Sequence, residues 1–269
     1  MSGTDLINLS GVCVVVTRPQ HQADGLCREL QALGARVIRL PVIAIAEPEN
    51  SELLTILLKR LIEFDTAVFI SANAVDQAMK YLNELGQTLS HLKIVAVGKA
   101  SAKALQRHGV TVDIVPQGKF NSEALLLHAD LQRLQGRRMV IFRGEGGREY
   151  LANRLIERGA QVEYAECYRR VKPSVNAELL LKAWARDEID VVTLTSNESL
   201  HNLYDIVGKA GQRWLQKTAL LGVSERLRDA AIQLDLQGDI RIADNASDKA
   251  IITALTQWFT RVDKHKNRE

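Results

Sequence analysis

VVTRPQHQADGLCRELQALGARV at 15–37 and VIFRGEGGREYLANRLIERGAQV at 140–162 are one pattern written twice. Laid over each other without gaps at an offset of 125, Arg18 meets Arg143, Leu26 meets Leu151 and Leu30 meets Leu155. Gly34-Ala35 meets Gly159-Ala160, and Val37 meets Val162. Each copy holds a β-branched run, a turn, an amphipathic stretch and a second short strand. In the first copy Ala23, Leu26, Cys27, Leu30 and Leu33 recur at the period of a helix with one buried face. Gly34 and Gly159 follow the last turn, where a left-handed C-cap favours a residue without Cβ.

The match continues outward at the same offset. AVFISANAVDQAMKYL (67–82) lies over VTLTSNESLHNLYDIV (192–207), with Ser71 on Ser196 and the stripe Val75, Ala78, Met79, Leu82 on Leu200, Leu203, Tyr204, Val207. Gly86-Gln87 lies over Gly211-Gln212. IVAVGKASAKAL (94–105) covers ALLGVSERLRDA (219–230) with a slip of one, and NSEALLL (121–127) covers ASDKAIITAL (246–255) with Ser122 on Ser247. Each copy therefore predicts β-α-β, then β-α, β-α, a short strand and a last helix. Strands alternating with helices of this length imply parallel sheets with right-handed crossovers. Near-continuous apolar runs such as Val12–Val16 and Val191–Leu194 suit strands covered on both faces. The expected fold class is α/β, with two similar doubly wound parallel-sheet domains, each large enough to bury its own core. After Val37 and Val162 the second strands run on as IRLPVIAIAEPEN and EYAECYRRVKP, ending near Pro48 and Pro173. Their equivalent positions suit the two crossings between domains, and ordinary sheet strands followed by loops are the alternative. The tail RVDKHKNRE after Trp258 is expected to fray.

Composition agrees. At 269 residues the chain is too long for one average domain. With 46% apolar and 25% charged residues it is not disordered, collagen-like or a coiled-coil fibre. Lys+Arg 35 against Asp+Glu 32 leaves only +3, which disfavours nucleic acid as a partner. No apolar run reaches the ~18 residues of a membrane span. MSGTDLINLSG at the start lacks the basic segment and apolar core of a secretory signal, so a cytoplasmic protein is expected. Cys13, Cys27 and Cys167 form no CxxC pair and read as reduced, buried residues. No histidine or acid stands at ligand spacing from them, so no metal site is expected. The six histidines are scattered and read as surface or loop residues.

In open parallel sheets, ligands bind beyond the carboxyl ends of the strands. The segments expected there are Thr17-Arg18-Pro19-Gln20 and Phe142-Arg143-Gly144-Glu145, Ser71-Ala72-Asn73 and Ser196-Asn197-Glu198, and Gly98-Lys99-Ala100-Ser101 and Gly222-Val223-Ser224-Glu225. Each sets small or hydroxyl residues before a helix start, whose free N–H groups and dipole suit carboxylates or phosphates. Plain N-capping is the simpler reading of any one of them, and the anion-binding expectation rests on six such loops in two matching copies. There is no GxxxxGK[ST] loop. Gly144-Glu145-Gly146-Gly147 resembles a dinucleotide turn, but the third glycine of that fingerprint would fall at Glu149. HExxH, GxSxG and DxDxDG are absent too. An enzyme needing neither cofactor nor metal, or a two-lobed anion-binding protein, fits this inventory. A flavodoxin-like or receiver pair lacks its acidic cluster and flavin loop here.

VVVTRP (14–19), GARVIRLPVI (34–43), FISANAV (69–75), VAVGKASAKAL (95–105), FRGEGGREYLANRL (142–155), CYRR (167–170) and TLTSNESL (193–200) stand in the order seen in the uroporphyrinogen-III synthase family, which the chain resembles over nearly its whole length. The resemblance implies two α/β domains joined by a two-stranded linker with a cleft between them, one of 1–40 plus 172–269 and the other of 41–171. The repeats would then be exchanged between domains. It further implies a lyase without cofactor that takes the linear tetrapyrrole hydroxymethylbilane, removes its terminal hydroxyl, inverts ring D through a spiro intermediate and closes the macrocycle. A monomer is expected, with the bilane-forming enzyme as a partner and neither nucleic acid nor membrane. Tyr168 matches the family's functionally important tyrosine and is expected to assist departure of the hydroxyl. Thr195, Ser196 and Asn197, together with Ser224, are expected to hold substrate carboxylates. Ser71, Asn73, Lys99 and Ser101 would form the opposite wall, and Arg18 and Arg143 lie at strand ends. Asn197-Glu198-Ser199-Leu200 departs from the family's usual loop, and an acid beside an anionic ligand is unfavourable unless it points away.

Overall fold

The computed structural model describes residues 8–118 and 121–266. Along the chain run β1 (Cys13–Val16), α1 (Gln20–Ala32), β2 (Arg36–Arg39), β3 (Ala44–Ala46), α2 (Ser51–Lys59), β4 (Thr66–Phe69), α3 (Ala72–Glu84), β5 (Lys93–Ala96), α4 (Lys99–Arg107), α5 (Ser122–Leu125), β6 (Arg138–Gly144), α6 (Tyr150–Glu157) and β7 (Gln161–Val171). They continue with α7 (Glu178–Ala185), β8 (Val191–Thr193), α8 (Asn197–Ile206), α9 (Gly208–Leu215), β9 (Ala219–Gly222), α10 (Glu225–Gln233), β10 (Ile240–Ile242) and α11 (Asp248–Lys266). The last part of the tail, 267–269, lies outside the described residues. The chain divides into two compact units, one taking residues up to Ala44 and from Val171 onward, the other Ile45–Arg170.

In the first unit a five-stranded sheet has the order β10-β9-β8-β1-β2. All four of its pairings are parallel. Alternation along the strands serves both faces. Val15, Val192 and Leu220 pack with Leu180, Trp184, Leu200 and Leu227 of α7, α8 and α10. Val14, Val16, Val191 and Leu221 pack on the opposite face with Leu26, Leu30, Leu255 and Trp258 of α1 and α11.

The second unit repeats the plan in the order β3-β7-β6-β4-β5. Its β7–β6, β6–β4 and β4–β5 pairings are parallel, and Ile114 bridges Val95 beyond β5. At the offset of 125, β1 corresponds to β6, β2 to β7 and β4 to β8. The order β9-β8-β1-β2 therefore matches β5-β4-β6-β7, with β10 and β3 added at opposite edges, and each sheet joins the first half of one copy to the second half of the other.

One pair of carboxylates fastens both sheets. Asp65, just before β4, accepts from the Arg138 N–H at 2.8 Å. Asp190, its partner at the repeat offset, accepts from the Cys13 N–H at 2.7 Å just before β8. Gly34 at φ +88° and Gly159 at φ +95° take the expected left-handed conformation.

The copies differ in one place that bears on chemistry. Helices α1 and α6 end at equivalent residues, but α6 starts five residues later in register, at Tyr150 instead of the counterpart of Gln20. Strand β6 instead runs on to Gly144, paired with the long β7, and the register shifts between Arg143 and Gly144. Phe142 and Arg143 therefore lie within a strand, not in the loop expected for them. All three cysteines are free and buried, as their apolar settings predict. No helix among the described residues is long and apolar enough to cross a membrane.

Candidate active site

At the carboxyl end of β4 the chain is extended at Ser71 and then enters α3. The Ser71 Oγ accepts from the Ala74 N–H at 3.0 Å, which satisfies one orphan donor of the first turn. In the other unit Ser196 opens α8 in the same way, and Ser199 closes a full capping box with it. Helices α4 and α10 start behind Gly98 and Ser224, and neither start has a side-chain cap. In α10 the Leu227 N–H is instead taken by the Ser224 carbonyl at 3.0 Å.

Tyr168 sits on β7 opposite Gly144, at the register shift. A Cβ at position 144 would lie 2.7 Å from two carbons of the Tyr168 ring, so the ring fits only against glycine. The Tyr168 carbonyl accepts from the Glu145 N–H at 2.8 Å, which holds the shifted register. Phe69 and Phe142, stacked at 4.5 Å, belong to the same apolar cluster as the Tyr168 ring. The Tyr168 hydroxyl lies 3.2 Å from the Ser71 Oγ. Tyr168 is only 3% exposed, whereas Ser71 is half-buried. At the repeat offset the other unit has Ile43 in place of Tyr168 and Pro19 in place of Gly144.

The remaining expected residues divide by environment. Asn73, Thr195, Ser196 and Ser224 are half-buried, and Lys99 and Asn197 are exposed, all at helix starts beyond strand ends. Glu198 is exposed in the first turn of α8. Ser101 differs from these in falling on the buried face of α4.

The two arginines, expected at strand ends, are turned into their own units. Arg18, 9% exposed, pairs with the Asp248 carboxylate and donates to the Ala246 carbonyl at 2.6 Å, which ties β1 to the start of α11. Arg143, 4% exposed, donates from Nε to the Gly144 carbonyl at 3.1 Å and lies 4.4 Å over the Tyr164 ring. Burial pushes the neighbouring Cys167 thiol far up, so it offers no thiolate. Among the described residues no group of three or more His, Cys, Asp or Glu is placed to hold a metal ion.

Two features escaped the reading of the sequence. The role of Gly144 depends on a ring 24 positions away in the chain, which no local pattern announces. The Asp65–Asp190 pair does carry a signal in the sequence, since both are aspartates at the repeat offset, each just before an apolar strand.

The family model described as "Uroporphyrinogen-III synthase HemD" matches residues 24–253. The uroporphyrinogen-III synthase of Escherichia coli K12 is 33% identical over 244 residues, covering 90% of this chain and 99% of that protein. That of Salmonella typhimurium is 34% identical over 246 residues, again 90% of this chain and 99% of that protein. Among solved structures, a mutant uroporphyrinogen III synthase of the extreme thermophile Thermus thermophilus shares the fold at a TM-score of 0.57 and 20% identity, covering 94% of this chain and 99% of its own. With its fold, its length and nearly all of its sequence matched, the chain belongs to the uroporphyrinogen-III synthase family.

Proposed function

We infer that this chain cyclises hydroxymethylbilane to uroporphyrinogen III, losing the terminal hydroxyl as water and inverting ring D through a spiro intermediate. Family membership supports the reaction and disfavours the non-catalytic anion-binding alternative. The observation that carries the chemistry is the Tyr168 phenol held against Ser71 at the start of α3. Departure of hydroxide leaves a conjugated azafulvene cation, so the step needs a proton source and charge stabilisation. Tyr168 is that source.

The bilane is a polycarboxylate. Thr195, Ser196, Asn197 and Ser224 in one unit, and Ser71, Asn73 and Lys99 in the other, supply hydroxyls, amides and one cation at helix starts. The bilane also closes spontaneously without inversion, so the enzyme chiefly imposes conformation, which is catalysis by orientation. That lability favours direct receipt of the substrate from the bilane-forming enzyme, and we propose a monomer in the cytoplasm.

Incubation with hydroxymethylbilane generated in situ, followed by oxidation and chromatography of the isomers, tests the reading. Uroporphyrin III above background is expected. Isomer I alone overturns it.

A further inference from the structure

We propose that Ser71, not the phenol, hands the proton to the departing hydroxyl, and that Tyr168 reprotonates Ser71 from behind. The proposal rests on the cyclase reading above and adds the path of the proton. Exposure is the first argument. Tyr168 keeps 3% of its surface and Ser71 is half-buried, so the serine is the member of the pair with surface to meet a ligand.

Valence is the second argument. A hydroxyl has one proton and accepts twice. The Ser71 Oγ accepts from the Ala74 N–H at 3.0 Å and faces the Tyr168 hydroxyl at 3.2 Å. When the phenol donates, both acceptor positions are filled, and the single Ser71 proton points away from helix and ring alike. A phenol is a far stronger acid than an alkyl alcohol, so the proton runs from Tyr168 through Ser71 and no serine alkoxide accumulates.

The duplicate half of the molecule supplies the third argument. Ser196 also opens a helix, but its third helical position is Ser199, whose hydroxyl closes a capping box with it. Ala74 at that position in α3 has no hydroxyl, and the side-chain partner of Ser71 is Tyr168 instead. In the unit that holds Ser196 the repeat-offset counterpart of Tyr168 is Ile43, which has no hydroxyl. One copy shows the serine as a plain cap, and the other shows the same serine backed by an acid.

The step balances. The hydroxymethyl C–O bond breaks and both electrons leave with oxygen, which takes the Ser71 proton and departs as water. The Ser71 Oγ takes the phenol proton, and its new O–H donates to the Tyr168 phenolate. That anion stands at the N-terminus of α3, where the helix dipole favours negative charge. The azafulvene cation carries the matching positive charge. Ring closure releases one proton as the attacked pyrrole regains aromaticity, and that proton restores the phenol. Nothing is oxidised or reduced.

The test uses single-turnover cyclisation of bilane generated in situ by wild type, Ser71→Ala, Ser71→Gly, Ser71→Thr, Tyr168→Phe and the Ser71→Ala/Tyr168→Phe double variant. Thermal melts accompany each, and glycine is included because it is itself a good N-cap. Loss of a positioned proton donor costs about 10²–10⁴-fold in rate. Ser71→Ala, Ser71→Gly and Tyr168→Phe should fall by a similar factor within that range, and the double variant no further. Ser71→Thr should recover most of the loss. In mixtures of light and heavy water the wild-type rate should bow with isotope fraction, because two protons move together. A linear dependence, multiplied losses in the double variant, or Ser71→Ala within about twofold of wild type would overturn the relay. Isomer I alone from wild type would instead overturn the cyclase reading itself.

Discussion

Replacing Gly144 with alanine puts a methyl group where the Tyr168 ring already lies. The new carbon would stand 2.7 Å from Cε2 and Cζ and 3.1 Å from Cε1. Unstrained carbon contacts lie at about 3.5–4.0 Å, so ring and strand must part by about 1 Å. Gly144 does not use the left-handed backbone region, so the substitution tests space alone. The ring cannot retreat freely, because Tyr168 belongs to a packed core with Phe69 and Phe142. Overpacking of this kind costs about 1–3 kcal/mol of stability. The phenol–Ser71 bond is already long at 3.2 Å, and a contact of about 3.6 Å is no longer a hydrogen bond. A shift of about 1 Å therefore breaks it, and misplacement on that scale costs about 10²-fold in rate. Uroporphyrinogen III formation and a urea melt on the same preparation read both effects. A Gly144→Ala variant with wild-type rate and wild-type midpoint would refute the placement of Tyr168 and everything built on it.

Other expectations follow from groups away from the phenol. Arg18→Met should lower stability by about 1–3 kcal/mol, because it leaves the Ala246 carbonyl and the Asp248 carboxylate short of a partner. A raised KM with an unchanged urea midpoint would show instead that Arg18 faces substrate. The Arg138 N–H, and after it the Arg137 guanidinium, hold the Asp65 carboxyl below the usual carboxylate range. A depressed folded-state pKa stabilises fully above the unfolded value of about 4 and is lost as pH falls through the folded one. Asp65→Asn should therefore flatten the acid side of the stability profile, and an unaltered slope of urea midpoint against pH would sink that assignment. Burial raises the thiol pKa of Cys13, Cys27 and Cys167. A thiol reagent should find almost nothing in the native protein and all three groups in urea, whereas rapid native labelling would contradict the burial.

The repeat was legible because strand and helix periods survive in both copies and because Gly34 and Gly159 mark the same turn. Which halves share a sheet was not. The apolar patterns of β1–α1–β2 and β6–α6–β7 are alike in the sequence, so the pattern does not say which of them lies beside β4 and which beside β8. The chain's passage between units at Ala44–Ile45 and Arg170–Val171 decides it. The partner of Arg18 was not legible for the same reason: Asp248 lies in the other copy, 230 residues on.

The chemistry was legible only as a resemblance, since Ser71 and Tyr168 are 97 residues apart and meet only when β7 lies beside β6 and β6 beside β4. What separates the two serine-opened helices is a small set of linked positions on a shared frame: Tyr168 against Ile43, Gly144 against Pro19, and Ala74 against Ser199. The first two cannot vary independently in the second unit, because the ring occupies the space of the missing Cβ. The third leaves Ser71 without the neighbouring hydroxyl that engages Ser196. A duplicated scaffold thus presents two serine-opened helix starts, and under the proposed relay the side chains around one of them would turn that start into an acid.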